Sequence, residues 1–281
     1  MSGYAMRRFQ FNFKQNSLKQ AAAAGLLIAA AVLASGCDKL KARDNLNQGV
    51  NAFKSGDYSG AADRFKTAIA LDPSFEVARL YLATAYVQQY IPGTETPENK
   101  KFASAAMEEF NNVLQADPKN LLATESMASL YYNMKDFKDA EEWNKKVVAI
   151  DPKNKEAYYT LGVIAWTQFI QADREARLDE KMKLEDPAPL KDPKERASLK
   201  DKYWQTLTDG IEDEKHALAA DPDYDNAMAY MNLLIRYRAD LDDSKEQAAA
   251  DTKEADDWVA KALEAQKKNA AKKAAAANGG S

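Results

Sequence analysis

Four times in 281 residues the chain closes an apolar run with Asp-Pro: AIALDP at 68–73, VLQADP at 113–118, VVAIDP at 147–152 and ALAADP at 217–222. Proline lacks an N–H and its ring clashes with the preceding turn, so each dipeptide reads as the end of a helix. Residues 42–75 and 121–154 are units of 34 residues each. The first reads ARDNLNQGVNAFKSGDYSGAADRFKTAIALDPSF, with SGDYSGA as the turn between two helical stretches. A fixed period of this length means one supersecondary element, repeated, each copy burying its apolar face against the next. Strand-like alternation is nearly absent, and Ala, Leu, Lys, Glu and Asp dominate, so the chain is expected to be all-α. A plain helical bundle with chance turns is the alternative, and self-similarity at fixed positions argues against it.

The 42–75 unit is similar along its whole length to the tetratricopeptide repeat. Gly49 stands at the eighth position, where two helices press close; Ala61 does the same at the twentieth, Phe65 fills the core at the twenty-fourth, and Ala68 packs at the twenty-seventh. Laid along the chain, the resemblance implies units at 42–75, 76–120, 121–154, 155–224 and 225–266, with Ala61, Ala106, Ala140, Gly210 and Ala255 at the twentieth position. Units two, four and five then carry about 11, 36 and 11 extra residues between their two helices. The implied fold is a tetratricopeptide-like α-solenoid of about five helical hairpins, with a helical insertion at about 169–209. An Ala/Lys-rich tail, 267–281, extends the last helix as a polar cap.

Within the insertion, Ile170, Ala172, Ala176, Leu178 and Met182 keep mainly to one helix side, and prolines 187, 189 and 193 then interrupt it. Ala197, Leu199, Tyr203, Trp204 and Leu207 would line the returning helix. This predicts a charged helical hairpin protruding from the array with its Pro-rich tip near 186–193. A disordered insertion is the alternative, given the density of Lys, Asp and Glu.

The single cysteine, Cys37, ends the stretch LASGC at 33–37. Upstream lie Arg7, Arg8, Lys14 and Lys19, then 14 uncharged apolar residues, with no Asp or Glu before Asp38. A positive segment, a short apolar segment and small residues form a secretory signal pattern. The apolar run is short of the roughly 20 residues that a ~30 Å hydrocarbon core requires. Residues 34–37 resemble the lipobox of bacterial lipoproteins, although Ala34 stands where that family most often has Leu. The resemblance implies cleavage of 1–36, diacylglycerol on the Cys37 sulfur, and a further acyl chain such as palmitate on the new amino terminus, with 37–41 as a short spacer. An uncleaved signal anchor, or cleavage leaving a free thiol, are the alternatives. The expected location is the cell envelope, membrane-anchored by the N-terminal lipid and facing the periplasm. Asp38 resembles an inner-membrane retention signal of some lineages, and both membranes stay open.

From Cys37 onward 35 Lys and Arg stand against 43 Asp and Glu, a net charge of −8, which argues against nucleic acid as a partner. Nothing suggests catalysis: His216 is the only histidine, there is no available thiolate, and no glycine-rich phosphate loop occurs. DPDYDN at 221–226 has Asn226 where a calcium loop needs glycine and reads as a turn, with Tyr224 closing unit four and Asp225 capping the next helix. No enzyme, cofactor or metal is expected.

In the resembled family the first helices of successive units line a groove for a protein or peptide partner. The corresponding positions here include Asn47 and Lys54 in unit one, and Tyr81, Thr84 and Gln88 in unit two. Unit three contributes Ser129, Tyr132 and Asn133; unit four Tyr159, Val163 and Trp166; unit five Tyr230, Arg236 and Tyr237. Tyrosines and a tryptophan among amides and hydroxyls suit peptide recognition, with inter-repeat core as the competing role for any one ring. Leu46 and Val50 replace the Lys and Asn with which chaperone-tail clamps of this family hold a carboxylate. The function implied is a lipid-anchored scaffold that mediates protein–protein interaction in assembly of an envelope complex. A small-ligand or glycan-binding envelope lipoprotein is the alternative.

Overall fold

The computed structural model describes residues 37–183 and 185–278, so the signal segment 1–36 lies outside the described residues. Ten helices occur among them: α1 (37–54), α2 (Tyr58–Leu71), α3 (Glu76–Gln89), α4 (Pro97–Ala116), α5 (Leu121–Asn133), α6 (Phe137–Ile150), α7 (Lys155–Asp179), α8 (Pro193–Ala220), α9 (Asp225–Ala239) and α10 (Lys245–Asn278). No described helix is long and apolar enough to cross a membrane. Residues 37–41, expected as a spacer, are helical, with the Cys37 side chain exposed.

All four Asp-Pro turns are built alike. The carboxylates of Asp72, Asp117, Asp151 and Asp221 accept from the N–H two residues on, at 3.1, 3.1, 3.0 and 3.1 Å. The aspartate thus satisfies a turn amide while proline forbids continuation, a stop made within three residues. The next helix starts on a local cap where one is available: Asn120 accepts from the Ala123 N–H and Asn154 from the Ala157 N–H, both at 3.0 Å. Before α9 the cap is Tyr224 without a side-chain bond, and Asp225, expected as the cap, is the first helical residue.

The chain divides into two compact units, one up to Ala116 and one from Asp117. In the first, α1 and α2 meet at Gly49, where a Cβ would lie 2.4 Å from the Phe65 ring. Gly56, at φ +83°, makes the turn, and Asp57 caps α2 on the Gly60 N–H at 2.9 Å. The extra residues of 76–120 form the 90–96 loop and lengthen α4. Buried Asn99 pins that loop: its Oδ1 accepts from the Ile91 N–H (2.8 Å), and its Nδ2 donates to the carbonyls of Ile91 (2.9 Å) and Thr94 (2.7 Å).

In the second unit α5/α6, α7/α8 and α9/α10 are successive hairpins. Gly210 of α8 sits where three helices converge, since a Cβ there would meet Ala165 of α7 at 2.7 Å and Leu234 of α9 at 3.2 Å. The expected insertion is helical, but its tip does not protrude. Leu190 is fully buried among Leu199, Leu207, Leu241 and Ala255, and its N–H donates to the Asp240 carbonyl at 3.1 Å. Of the apolar residues expected along α7, Leu178 is exposed whereas Ile170, Ala176 and Met182 are buried. The hairpin folds back because its apolar residues Leu190, Leu199 and Leu207 share one buried cluster with Leu234, Ile235 and Leu241 at the end of α9 and Ala255 of α10. Lysines 268 and 272 on the C-terminal part of α10 pair with Asp223 at 2.7 and 2.9 Å, tying that helix to the α8–α9 turn.

Candidate functional site

The first helix of each hairpin in the second unit places aromatic rings on a shared face. Tyr159 and Trp166, seven residues apart on α7, fall on one helix side. Tyr230 and Tyr237 are spaced identically on α9. The four interlock: Tyr159 to Tyr230 at 5.4 Å between ring centres, Tyr230 to Trp166 at 5.8 Å, and Trp166 to Tyr237 at 6.4 Å, all edge to face. The ladder extends to Tyr224 at one end (5.4 Å from Tyr159) and to Phe169 at the other (6.3 Å from Tyr237). These geometries contribute beyond area burial, so the rings hold one another in place. Burial, assisted by the Tyr230 phenol and the Glu214 carboxyl, pushes the Tyr159 hydroxyl up to about 12. Tyr230 is also raised, by burial and then by Tyr132 and Glu214, so these phenols are neutral donors at physiological pH.

Beside the ladder a cleft of about 380 Å³ opens between α5, α6 and α7, lined by Glu125, Ser129, Tyr132, Asn144, Glu156 and Thr160 among others. A second cleft of about 590 Å³ lies where the arm's loop faces α9 and α10, with Arg236 and Tyr237 in its wall. Under the ladder lies Glu214 of α8, fully buried, with neither carboxyl oxygen hydrogen-bonded. The indole N–H of Trp166 is likewise buried without a partner.

A family model for the tetratricopeptide repeat matches residues 99–164. Among solved structures the chain is similar to the MamA RS-1 ArsTM double mutant, with TM-score 0.54 at 17% identity over 82% of this chain and 96% of that one. MamA 41-end from Desulfovibrio magneticus RS-1 gives 0.53 at 17%, over 81% and 96%. A MamA crystal structure gives 0.53 at 16%, over 82% and 94%. The fold is a tetratricopeptide-like α-solenoid. No curated protein matches the chain. The matched family is a protein-interaction repeat, not a catalytic one.

The tetratricopeptide frame explains both polar features of the site. Position twenty-four, a phenylalanine in the first two units (Phe65 and Phe110), holds Asn144 in unit three and Glu214 in unit four. Its partner at position eight is Gly49, Ala83, Ala128 and Gly162 in turn. A Cβ on Gly162 would lie 2.2 Å from Glu214 Oε1, so that glycine makes room for the carboxyl as Gly49 does for the Phe65 ring. In unit three Asn144 is smaller than the ring, and it lines the 380 Å³ cleft together with Ala128. The signal was in the sequence: two polar residues at a position that two other units fill with phenylalanine.

The candidate groove residues divide accordingly. Tyr132, Tyr159, Trp166, Tyr230 and Tyr237 are half-buried on the second unit's face, and Ser129 is exposed at the cleft rim, with Asn133 at the end of α5. Val163 is corrected to core at 4% exposure, on a helix that packs against α6, α8 and α9 at once. Arg236 is not a free cation: it pairs with Asp256 of α10 at 2.6 Å. In the first unit Tyr81 stacks on Phe65 at 5.4 Å, and Thr84 spends its hydroxyl on the Leu80 carbonyl at 2.7 Å. Asn47, Lys54 and Gln88 are exposed, with no hydrogen bond or ion pair among the described residues. The lone histidine, His216, stacks on Tyr158 at 4.9 Å on a different face.

Proposed function

We propose that this chain is a lipid-anchored tetratricopeptide scaffold of the bacterial cell envelope that binds an extended peptide segment of a protein partner on the tyrosine face of its second unit. The observation that carries this reading is the ladder from Tyr159 to Tyr237: four half-buried aromatic rings in line, with neutral hydroxyls for a peptide backbone. Such rings bury large area at low entropic cost. They engage one another edge to face, so they present rims and hydroxyls more than open flat faces, which favours a polypeptide over a stacked sugar. The anchor rests on the sequence, with LASGC at 33–37 following a basic and then an apolar segment. Two or three acyl chains hold a protein at a membrane where one does not.

Two measurements test this. Partners captured from solubilised envelopes are identified by mass spectrometry, and the bound segment is titrated against Tyr132→Ala and Tyr230→Ala proteins. Each variant is expected to lose about 2 kcal/mol or more of binding while keeping its helical melt. Binding that survives both, or shifts only with saccharides, overturns the peptide reading. For the anchor, protein extracted from membranes is expected to start at Cys37 and to carry the added mass of its acyl chains, and Cys37→Ala removes that mass. A free thiol at Cys37 in the mature protein overturns it.

A further inference from the structure

We infer that the cleft between α5, α6 and α7 is a subsite for a basic side chain, lysine or arginine, of the bound peptide; this rests on the tyrosine face being a peptide groove. Asn144 and Ala128, which line the cleft, stand at the positions where unit one has Phe65 against Gly49, so no ring projects into it from that position. Its chemistry is one-sided. Asn144 is 4% exposed; its Nδ2 donates to the Ala140 carbonyl at 2.8 Å, leaving its Oδ1 in the cleft with no hydrogen bond among the described residues. The floor therefore offers the amide oxygen as an acceptor, beside an Nδ2 with one of its two hydrogens already committed.

Both charged residues of the lining, Glu125 and Glu156, are acids. Glu125 is held by one oxygen, Oε1, to Asn154 Nδ2 at 2.6 Å, and Asn154 is itself fixed as the cap of α7. Its other oxygen has no such bond. Glu156 accepts from the Tyr224 hydroxyl and has the Lys155 ammonium 4.0 Å away. Tyr132 supplies an aromatic wall. An apolar or anionic side chain here would leave the Asn144 carbonyl unsatisfied beside two carboxylates. An ammonium or guanidinium satisfies the Asn144 carbonyl oxygen and pairs with the second oxygen of Glu125, with Glu156 adding to the negative potential and the ring offering a cation–π contact. The net charge of −8 from Cys37 onward draws a basic segment towards the protein.

The test pans a phage-displayed random dodecapeptide library on the detergent-solubilised full chain and titrates the selected peptides as synthetic blocked chains. Peptides that lose binding in Tyr230→Ala protein are expected to share a lysine or arginine at a fixed position. Replacing it by norleucine should weaken binding at least tenfold, as should Glu125→Gln, and the norleucine peptide should be insensitive to Glu125→Gln. Asn144→Leu is expected to act in the same way; should it fail to fold, the isosteric Glu125→Gln decides. Tyr230-dependent peptides with no basic residue, or with one whose norleucine penalty persists in Glu125→Gln protein, overturn the subsite and leave the groove standing. A library yielding no Tyr230-dependent peptide overturns the groove reading and the subsite with it.

Discussion

Replacing Arg177 by methionine is expected to destabilise the second unit by about 3–5 kcal/mol, the cost of breaking a buried ion pair by removing one partner. Arg177 is 7% exposed, and its guanidinium engages Asp240 through both Nε and Nη2, the former at 3.1 Å. Its Nη1 donates to the carbonyls of Lys183 (2.9 Å) and Asp186 (3.3 Å). One side chain on α7 therefore fastens the arm's loop to the end of α9. Asp173, fully buried one helical turn before Arg177 and 3.5 Å from its Nε, lies against Asp240, and burial together with that neighbour pushes it up to about 8. Without Arg177 two carboxyl groups face each other in the interior. A lowered urea midpoint, together with fast hydrogen exchange at the Leu190 amide that donates to Asp240, is the expected readout. A change under about 1 kcal/mol would show that the clamp carries no stability. The sequence pattern alone suggests that excising about 36 residues restores a standard unit; the structure predicts loss of cooperative melting instead, because Leu190, Leu199 and Leu207 leave the core with the arm.

Glu214→Met is expected to raise stability by about 2–4 kcal/mol at pH 7, an unusual sign for a buried substitution. The carboxyl is fully buried with no hydrogen bond, and burial, with Asp213 adding to it, pushes it up to about 10. Unfolded, it titrates near ~4.3. The folded state thus keeps a proton that the unfolded chain releases, so stability falls as pH rises between those values. Asp173, at about 8, and Asp213, raised to about 7 by burial beside Asp209, act with the same sign over narrower windows. The wild-type chain should accordingly be more stable near pH 5 than near pH 8. The methionine variant should differ little at the first pH and most at the second. Urea midpoints at both pH values measure this, and superimposable pH slopes for the two proteins would contradict it.

Much of the candidate site was legible from spacing. Tyr159 and Trp166, Tyr230 and Tyr237 lie seven residues apart on first helices, and a repeat frame assigns them to one face with no knowledge of packing. Val163 was assigned to the groove by the same frame, whereas it is 4% exposed on a helix packed against α6, α8 and α9, and the frame does not fix which of a first helix's positions those neighbours cover. Asn144 and Glu214 could have been read as anomalies at position twenty-four. What each becomes, a cleft floor or a buried neutral acid, depends on neighbours 16 and 52 residues away in the chain, Ala128 and Gly162.

Helix identity and helix ends belong to the sequence itself. Each Asp-Pro stop and each asparagine cap is completed by an N–H two or three residues away, so no distant segment is needed to make it. The fate of the arm belongs to the tertiary structure. Its charge and its prolines describe a solvated hairpin, and only the arrival of Asp240 and Leu241, some 50 residues beyond Leu190, turns that hairpin into core. Burial is a property of which surfaces meet, and local pattern does not specify the partner when two insertions lengthen together.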